Sequence, residues 1–203
     1  MSNHLQSSSY NALLEETMKR LLAIVALFFI SFATVPSITV LAQSELIITS
    51  EPASYTHATR RTMAVDTVVL HNSYNPLGGD PYSVALVTAI YNKEGVSTHY
   101  LIDRKGRIYQ HVPEEYVSYH AGRSKMPDGR TSVNGFSIGI ELINAPTDVV
   151  TDAQYASTDR LLQSIRERQP IRYVVGHCTI APSRKSDPWN FDWKRINVKI
   201  APC

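Results

Sequence analysis

The sequence predicts an α/β fold: a single domain with a central mixed β-sheet flanked by helices. Three observations lead there. Short β-branched runs alternate with amphipathic helical patterns, the sign of strand-helix-strand units and parallel pairing. One glycine-closed hairpin adds an antiparallel pair, which makes the sheet mixed. The chain has 203 residues, 43% of them apolar and 19% charged, enough for one well-buried core and too few for two comfortable domains.

The elements follow in order. Residues 67–71 (TVVLH) read as a buried central strand, and 75–81, with Gly78 and Gly79, as a loop. Asp80 before Pro81 has the form of an N-cap followed by proline at the first helical position, opening a helix whose stripe of Val84, Val87 and Tyr91 runs to about Asn92. Residues 97–102 and 107–112 are apolar runs joined through Asp103 to Gly106, a hairpin. Residues 121–135 are polar and glycine-rich, a long loop suited to a rim. From 136 to 142 (FSIGIEL) the residues alternate, so Ile138, Ile140 and Leu142 share one face while Gly139 and Glu141 share the other. Thr151 with Gln154 is a capping box, opening a helix that Pro170 ends. Residues 171–175 are a further buried strand leading into Gly176 and His177. No internal repeat is found.

The chain before residue 66 divides into two parts. Lys19 and Arg20 precede an apolar stretch over 21–35, about 15 residues, which is short for a membrane span and right for a secretory signal; Val40, Leu41 and Ala42 form a cleavage site. Residues 1–42 are therefore expected to be an N-terminal extension and signal peptide. The polar stretch ahead of Met18 is too long for the charged start of such a signal, which points to translation beginning at Met18. Residues 43–65, polar and aperiodic, are expected to be a linker or arm, with the folded domain at 66–203. The product is periplasmic or secreted, and it touches the membrane only through the signal segment if that stays uncleaved. A net charge of +2 cannot supply the phosphate contacts of tight duplex binding, so nucleic acid is excluded as a partner.

His71 and His177 end the two most strand-like aliphatic runs, and Asp187 follows ten residues later in a loop. On adjacent strands, two imidazoles and a carboxylate would leave the fourth position of a tetrahedral zinc open for water, as in a catalytic site. By spacing alone strand-end histidines are as readily packing residues. The surrounding segments narrow the choice: VLHN at 69–72, STHYLI at 97–102, YHAGRS at 119–124, SIGIEL at 137–142 and HCTIAPSRKSDP at 177–188. In this order and spacing the chain resembles the zinc-dependent N-acetylmuramoyl-L-alanine amidases of the type-2 amidase and peptidoglycan recognition protein superfamily, nearest the AmpD and AmiD branch, over about residues 66–193.

The resemblance implies a fold of that superfamily, Zn2+ as cofactor held by His71, His177 and Asp187, and peptidoglycan or muropeptides as substrate. It further implies Glu141 as the acid/base carboxylate and Lys185 as its assistant in stabilising the oxyanion, with Gly139 leaving room for substrate. Asn72 and His120 are candidate substrate-binding residues, with loop orientation and ordinary hydrogen bonding as their alternatives. Two positions depart from the family pattern: Trp189 stands where glycine commonly follows the Asp-Pro pair, and Thr98 where some relatives carry tyrosine. The competing expectation is a non-catalytic peptidoglycan-binding module of the same fold; a complete donor set with Glu141 argues against it. Among the remaining histidines, His99 is expected to be structural and His111 exposed, and Arg184 to be a solvated neighbour of Lys185. Cys178 and Cys203 are the only cysteines; in an oxidising compartment their pairing would contribute roughly 3 kcal/mol.

Overall fold

The structure, a computed structural model, describes residues 15–20, 46–50, 60–196 and 200–201. The chain forms two compact units, Met1–Ser44 and Glu45–Cys203. In the first, residues 15–20 are helical, with i,i+4 ion pairs from Lys19 to Glu15 and from Arg20 to Glu16. The expected signal segment over 21–42 lies outside the described residues. Among the described residues no helix is long and apolar enough to cross a membrane.

The second unit is built on a seven-stranded mixed sheet. Its strands are β1 (Ile48–Ser50), β2 (Thr67–Ser73), β3 (Tyr100–Ile102), β4 (Ile108–Gln110), β5 (Ser137–Ile143), β6 (Tyr173–Gly176) and β7 (Ile200–Ala201), in the order β1-β4-β3-β5-β2-β6-β7. Only β3 and β4 pair antiparallel; every other neighbour is parallel. The expected hairpin is present, turned at Gly106 with φ 78°. A Cβ at Gly106 would also lie 2.6 Å from the carbonyl oxygen of Ala153, so both the backbone angle and the neighbouring helix demand glycine.

Helix α1 (Val84–Glu94) and helix α2 (Asp152–Arg168) cover opposite faces. Tyr155, Leu161, Leu162 and Ile165 of α2 pack on Val68, Leu70, Ile138, Ile140 and Leu142, the residues whose alternation marks one face of β2 and β5. The capping box is present, with Thr151 accepting from the Gln154 amide and Gln154 reaching back to Thr151. On the other face Val87 and Tyr91 of α1 cover Leu101 and Ile143, while Ala121, Met126, Val133 and Phe136 cover Val69 and Val175. Between these two covers the carboxyl ends of β5, β2 and β6 are left open, the usual place for a site in a parallel sheet.

Three expectations are corrected. Residues 43–65 are not only a linker: β1 within them adds to the sheet edge beside β4, and Leu46 and Ile48 pack against the core. The N-cap of α1 is Ser83, accepting from the Leu86 amide. Asp80 instead uses its side chain on the Tyr82 amide and its carbonyl on the Ser83 amide, so Pro81 sits in a turn ahead of the helix. His177 is not a strand residue but opens the short helix α3 (His177–Ile180) immediately after β6.

Candidate metal centre and catalytic site

The register of the sheet assembles the site. His71 on β2 pairs with Glu141 on β5, so the two side chains rise side by side from the same face. On the other side Leu70 pairs with Gly176, which brings His177, one residue on, next to His71. Asp187 arrives from the following loop, tied down by the Cys178 amide donating to its carbonyl at 2.9 Å. The expected trio thus converges. His71 Nδ1 lies 2.9 Å from His177 Nδ1, and Asp187 Oδ2 lies 3.4 Å and 3.2 Å from those two atoms. All three residues are buried, at 1%, 4% and 5% exposure.

This donor set fits a zinc ion. With Zn–N and Zn–O bonds of about 2.0–2.2 Å, adjacent donors of a tetrahedral site stand about 3.3 Å apart, close to the three separations found. The ring hydrogens agree with this. His177 Nε2 faces the Ala121 carbonyl at 3.3 Å and donates to it, so a neutral ring carries its lone pair on Nδ1. Burial pushes His71 down to about 4, against the pull of Asp187, so its ring is neutral near pH 7. Lone pairs and a carboxylate facing one point call for a cation.

Glu141 stands beside this trio, buried, with Oε2 meeting no hydrogen-bond partner among the described residues. Burial raises its carboxyl to about 8, with Asp187 adding to the effect while Ser73, Lys185 and Tyr91 oppose it. A buried acceptor left unpaired costs about 1–3 kcal/mol, a cost that substrate or water in the adjoining cavity relieves. That cavity holds about 370 Å³ and is lined by His71, Glu141, His177, Lys185, Asp187 and Trp189 among others. A second cavity continues from it past Tyr119, Gly122 and Asn134, so the loop after His120 does form part of the rim.

The other expected residues divide. Lys185 is exposed and lines both cavities, within reach of a substrate. Asn72 has both ends of its amide engaged within the protein: Nδ2 donates to the Leu142 carbonyl at 3.3 Å and Oδ1 accepts from the Trp189 amide. These two bonds tie β2 to β5 and to the loop that carries Asp187, and Asn72 also lines the cavity. Trp189, seated by that bond and by a 2.9 Å bond from Nε1 to Ser186 Oγ, makes a cavity wall beside Tyr74. Arg184 is no idle solvated neighbour, since Nη2 donates to the carbonyls of Arg123 at 2.6 Å and Ala121 at 3.4 Å, pinning the rim loop to the donor loop. Gly139 does not leave space for substrate; the ring of His120 occupies it, and a Cβ there would come within 2.5 Å of His120 Cγ. Thr98 is structural, donating to the Gly139 carbonyl at 3.0 Å. Cys178 lies on the helical turn of α3 and is disulfide-bonded; Cys203, the chain's only other cysteine, lies outside the described residues.

His99 is structural as expected, its Nδ1 accepting from the Gly139 amide at 3.0 Å. His111 is buried, at 3% exposure, contrary to expectation, and its backbone amide donates to the His99 carbonyl at 2.9 Å. Burial, helped by Arg61, pushes His99 down to about 3, and burial pushes His111 to about 4. The unfolded chain takes up both protons near 6.5, so between these values it binds more protons than the folded one and stability falls as pH drops. Each group contributes about 1 kcal/mol per pH unit in that window. Urea unfolding of the metal-free protein at pH 7 and pH 5 is expected to expose this loss, and His111→Gln to reduce it; equal stability at the two pH values would rule it out.

The sequence matches the family Amidase_2, described as N-acetylmuramoyl-L-alanine amidase, over residues 61–190. Among curated relatives, the 1,6-anhydro-N-acetylmuramyl-L-alanine amidase AmpD of Citrobacter freundii is 38% identical over 151 residues, covering 66% of this chain and 80% of the relative. Among solved structures, a selenomethionine derivative of AmpD superposes with a TM-score of 0.63 at 36% identity, covering 73% of this chain and 91% of that one. The amidase AmiD from E. coli, in complex with anhydro-N-acetylmuramic acid-L-Ala-D-gamma-Glu-L-Lys, gives a TM-score of 0.57 at 29% identity over 72% of this chain and 63% of its own.

Proposed function

Because the chain belongs to the Amidase_2 family and is an N-acetylmuramoyl-L-alanine amidase, we propose that it works as a zinc enzyme, with His71, His177 and Asp187 as ligands, Glu141 as acid/base and Lys185 as oxyanion partner. The substrate is the amide between N-acetylmuramic acid and L-alanine in peptidoglycan or its muropeptide fragments. The carrying observation is the convergence of three buried donor atoms on one point next to a buried, unpartnered carboxylate oxygen.

A bound zinc ion supplies Lewis acidity toward the amide carbonyl and makes water nucleophilic near neutral pH. The chain's residues do the rest. Glu141 takes a proton from the attacking water as the water oxygen bonds to the carbonyl carbon. Lys185, reaching from the donor loop, opposes the negative charge that develops on the carbonyl oxygen. Glu141 then returns the proton to the alanine nitrogen as the carbon–nitrogen bond breaks. The walls formed by Trp189 and the rim loop hold the substrate against this line.

Mass spectrometry of products from purified muropeptides tests the reading. Free stem peptides with an L-alanine amino terminus are expected, lost on chelation and recovered on adding zinc; cleavage indifferent to chelator would overturn the metal assignment. We also propose export to the periplasm or exterior, supported by the basic-apolar-small pattern of residues 19–42. A mature protein beginning at Gln43 in the exported fraction is the expected result, and an uncleaved chain in the cytoplasm would refute it.

A further inference from the structure

We infer that His120, backed by Ser137 and the Val133 carbonyl, is a positioning residue that fixes the tautomer of His71 and thereby decides which ring nitrogen of His71 meets the metal. The inference rests on the metal-site reading above and deepens it.

Ser137 Oγ lies 2.6 Å from the Val133 carbonyl oxygen, and a carbonyl only accepts, so the hydroxyl proton is committed there. The same Oγ lies 3.2 Å from His120 Nε2 and must therefore accept, which puts the His120 proton on Nε2. A neutral imidazole so protonated has its lone pair on Nδ1. That atom is 3.0 Å from His71 Nε2, so His71 donates from Nε2 and leaves Nδ1 bare. Nδ1 is the atom that faces His177 and Asp187. Each link admits one direction, and the Val133 backbone carbonyl at its start sets it.

The surroundings hold the relay in place. His120 is buried and both its nitrogens are engaged within the protein, which leaves it no free donor for substrate. Its ring lies against the bare backbone of Gly139, where a Cβ would stand 2.5, 2.8 and 2.9 Å from Cγ, Nδ1 and Cδ2. The Gly139 amide is itself anchored on His99 Nδ1. Glycine at 139 is thus explained by the relay it admits.

The test uses the whole chain. In the metal-free wild type, two-bond 15N–1H correlation spectra are expected to find His71 protonated on Nε2. His120→Phe keeps ring bulk and removes the acceptor; it is expected to bind zinc 10- to 100-fold more weakly in competition with a chromogenic chelator and to release the His71 proton to a mixture of both nitrogens. His120→Asn returns an oxygen near the Nδ1 position and is expected to recover most of the affinity. A wild-type His71 protonated on Nδ1, or a folded His120→Phe with unchanged zinc affinity, overturns the inference while leaving the metal site standing. Failure of the wild type to bind zinc removes the metal-site reading instead, and the tautomer measurement still judges the relay.

Discussion

Glu141→Ala is expected to keep one equivalent of zinc and to lose turnover on muropeptides by about 10²- to 10⁴-fold, the range for removal of a positioned general acid/base. The separation of the two effects follows from the sheet. Glu141 is on β5, one strand away from His71, and offers no donor atom to the group formed by His71, His177 and Asp187. Its role is carried by an oxygen that the fold buries without a partner, and burial has already raised the group toward neutrality, where proton transfer in both directions is efficient. A divalent ion beside it would draw that value down again, favouring the ionised form that accepts the first proton. Glu141→Gln, which keeps the shape and removes the proton exchange, should fall as far as Glu141→Ala in kcat with little change in KM. Stem-peptide release at the wild-type rate by either variant would remove Glu141 from the mechanism.

What the sequence discloses and what it conceals differ for a physical reason. The alternation of 136–142 and the capping box at Thr151 are local, so β5 and α2 appear within a residue or two of their expected bounds. His71 and His177 were legible because each ends an aliphatic run, and parallel pairing then makes them neighbours. β1 was hidden: its residues are ordered by an edge partner sixty residues away, and nothing in their own pattern announces it. Ser83 and Asp80 are both good caps in sequence, and only the turn around Pro81 decides between them. The relay was the least legible feature. His120, Ser137, Gly139 and His71 stand on three separate segments, and the glycine that admits the ring looks like spare room until the ring is seen in it. Local chemistry can be read from spacing, whereas the direction of a hydrogen bond needs the contact itself.

Replacing a metal donor should strike harder and on more readouts than replacing Glu141. His177→Ala is expected to lose zinc, stabilisation by zinc and turnover together. Removing an outer partner of a ligand already costs about 10- to 100-fold in metal affinity, so removing the ligand itself should exceed about 100-fold. In the wild type, zinc at 100 times its dissociation constant adds about 2.7 kcal/mol to folding stability by mass action, a shift of several degrees in Tm for a domain of this size; the variant should show none at the same concentration. The metal-free variant should nevertheless stay folded. His177 contributes a donor atom and one bond to the Ala121 carbonyl, while the cores on both faces of the sheet are built from other residues. That contrast makes the outcome readable: a cooperative melt unmoved by zinc, with no product from muropeptides, is the expected result. A variant that still gains stability from zinc and still cleaves would mean that the ion is held elsewhere and that the buried trio is only a packed cluster.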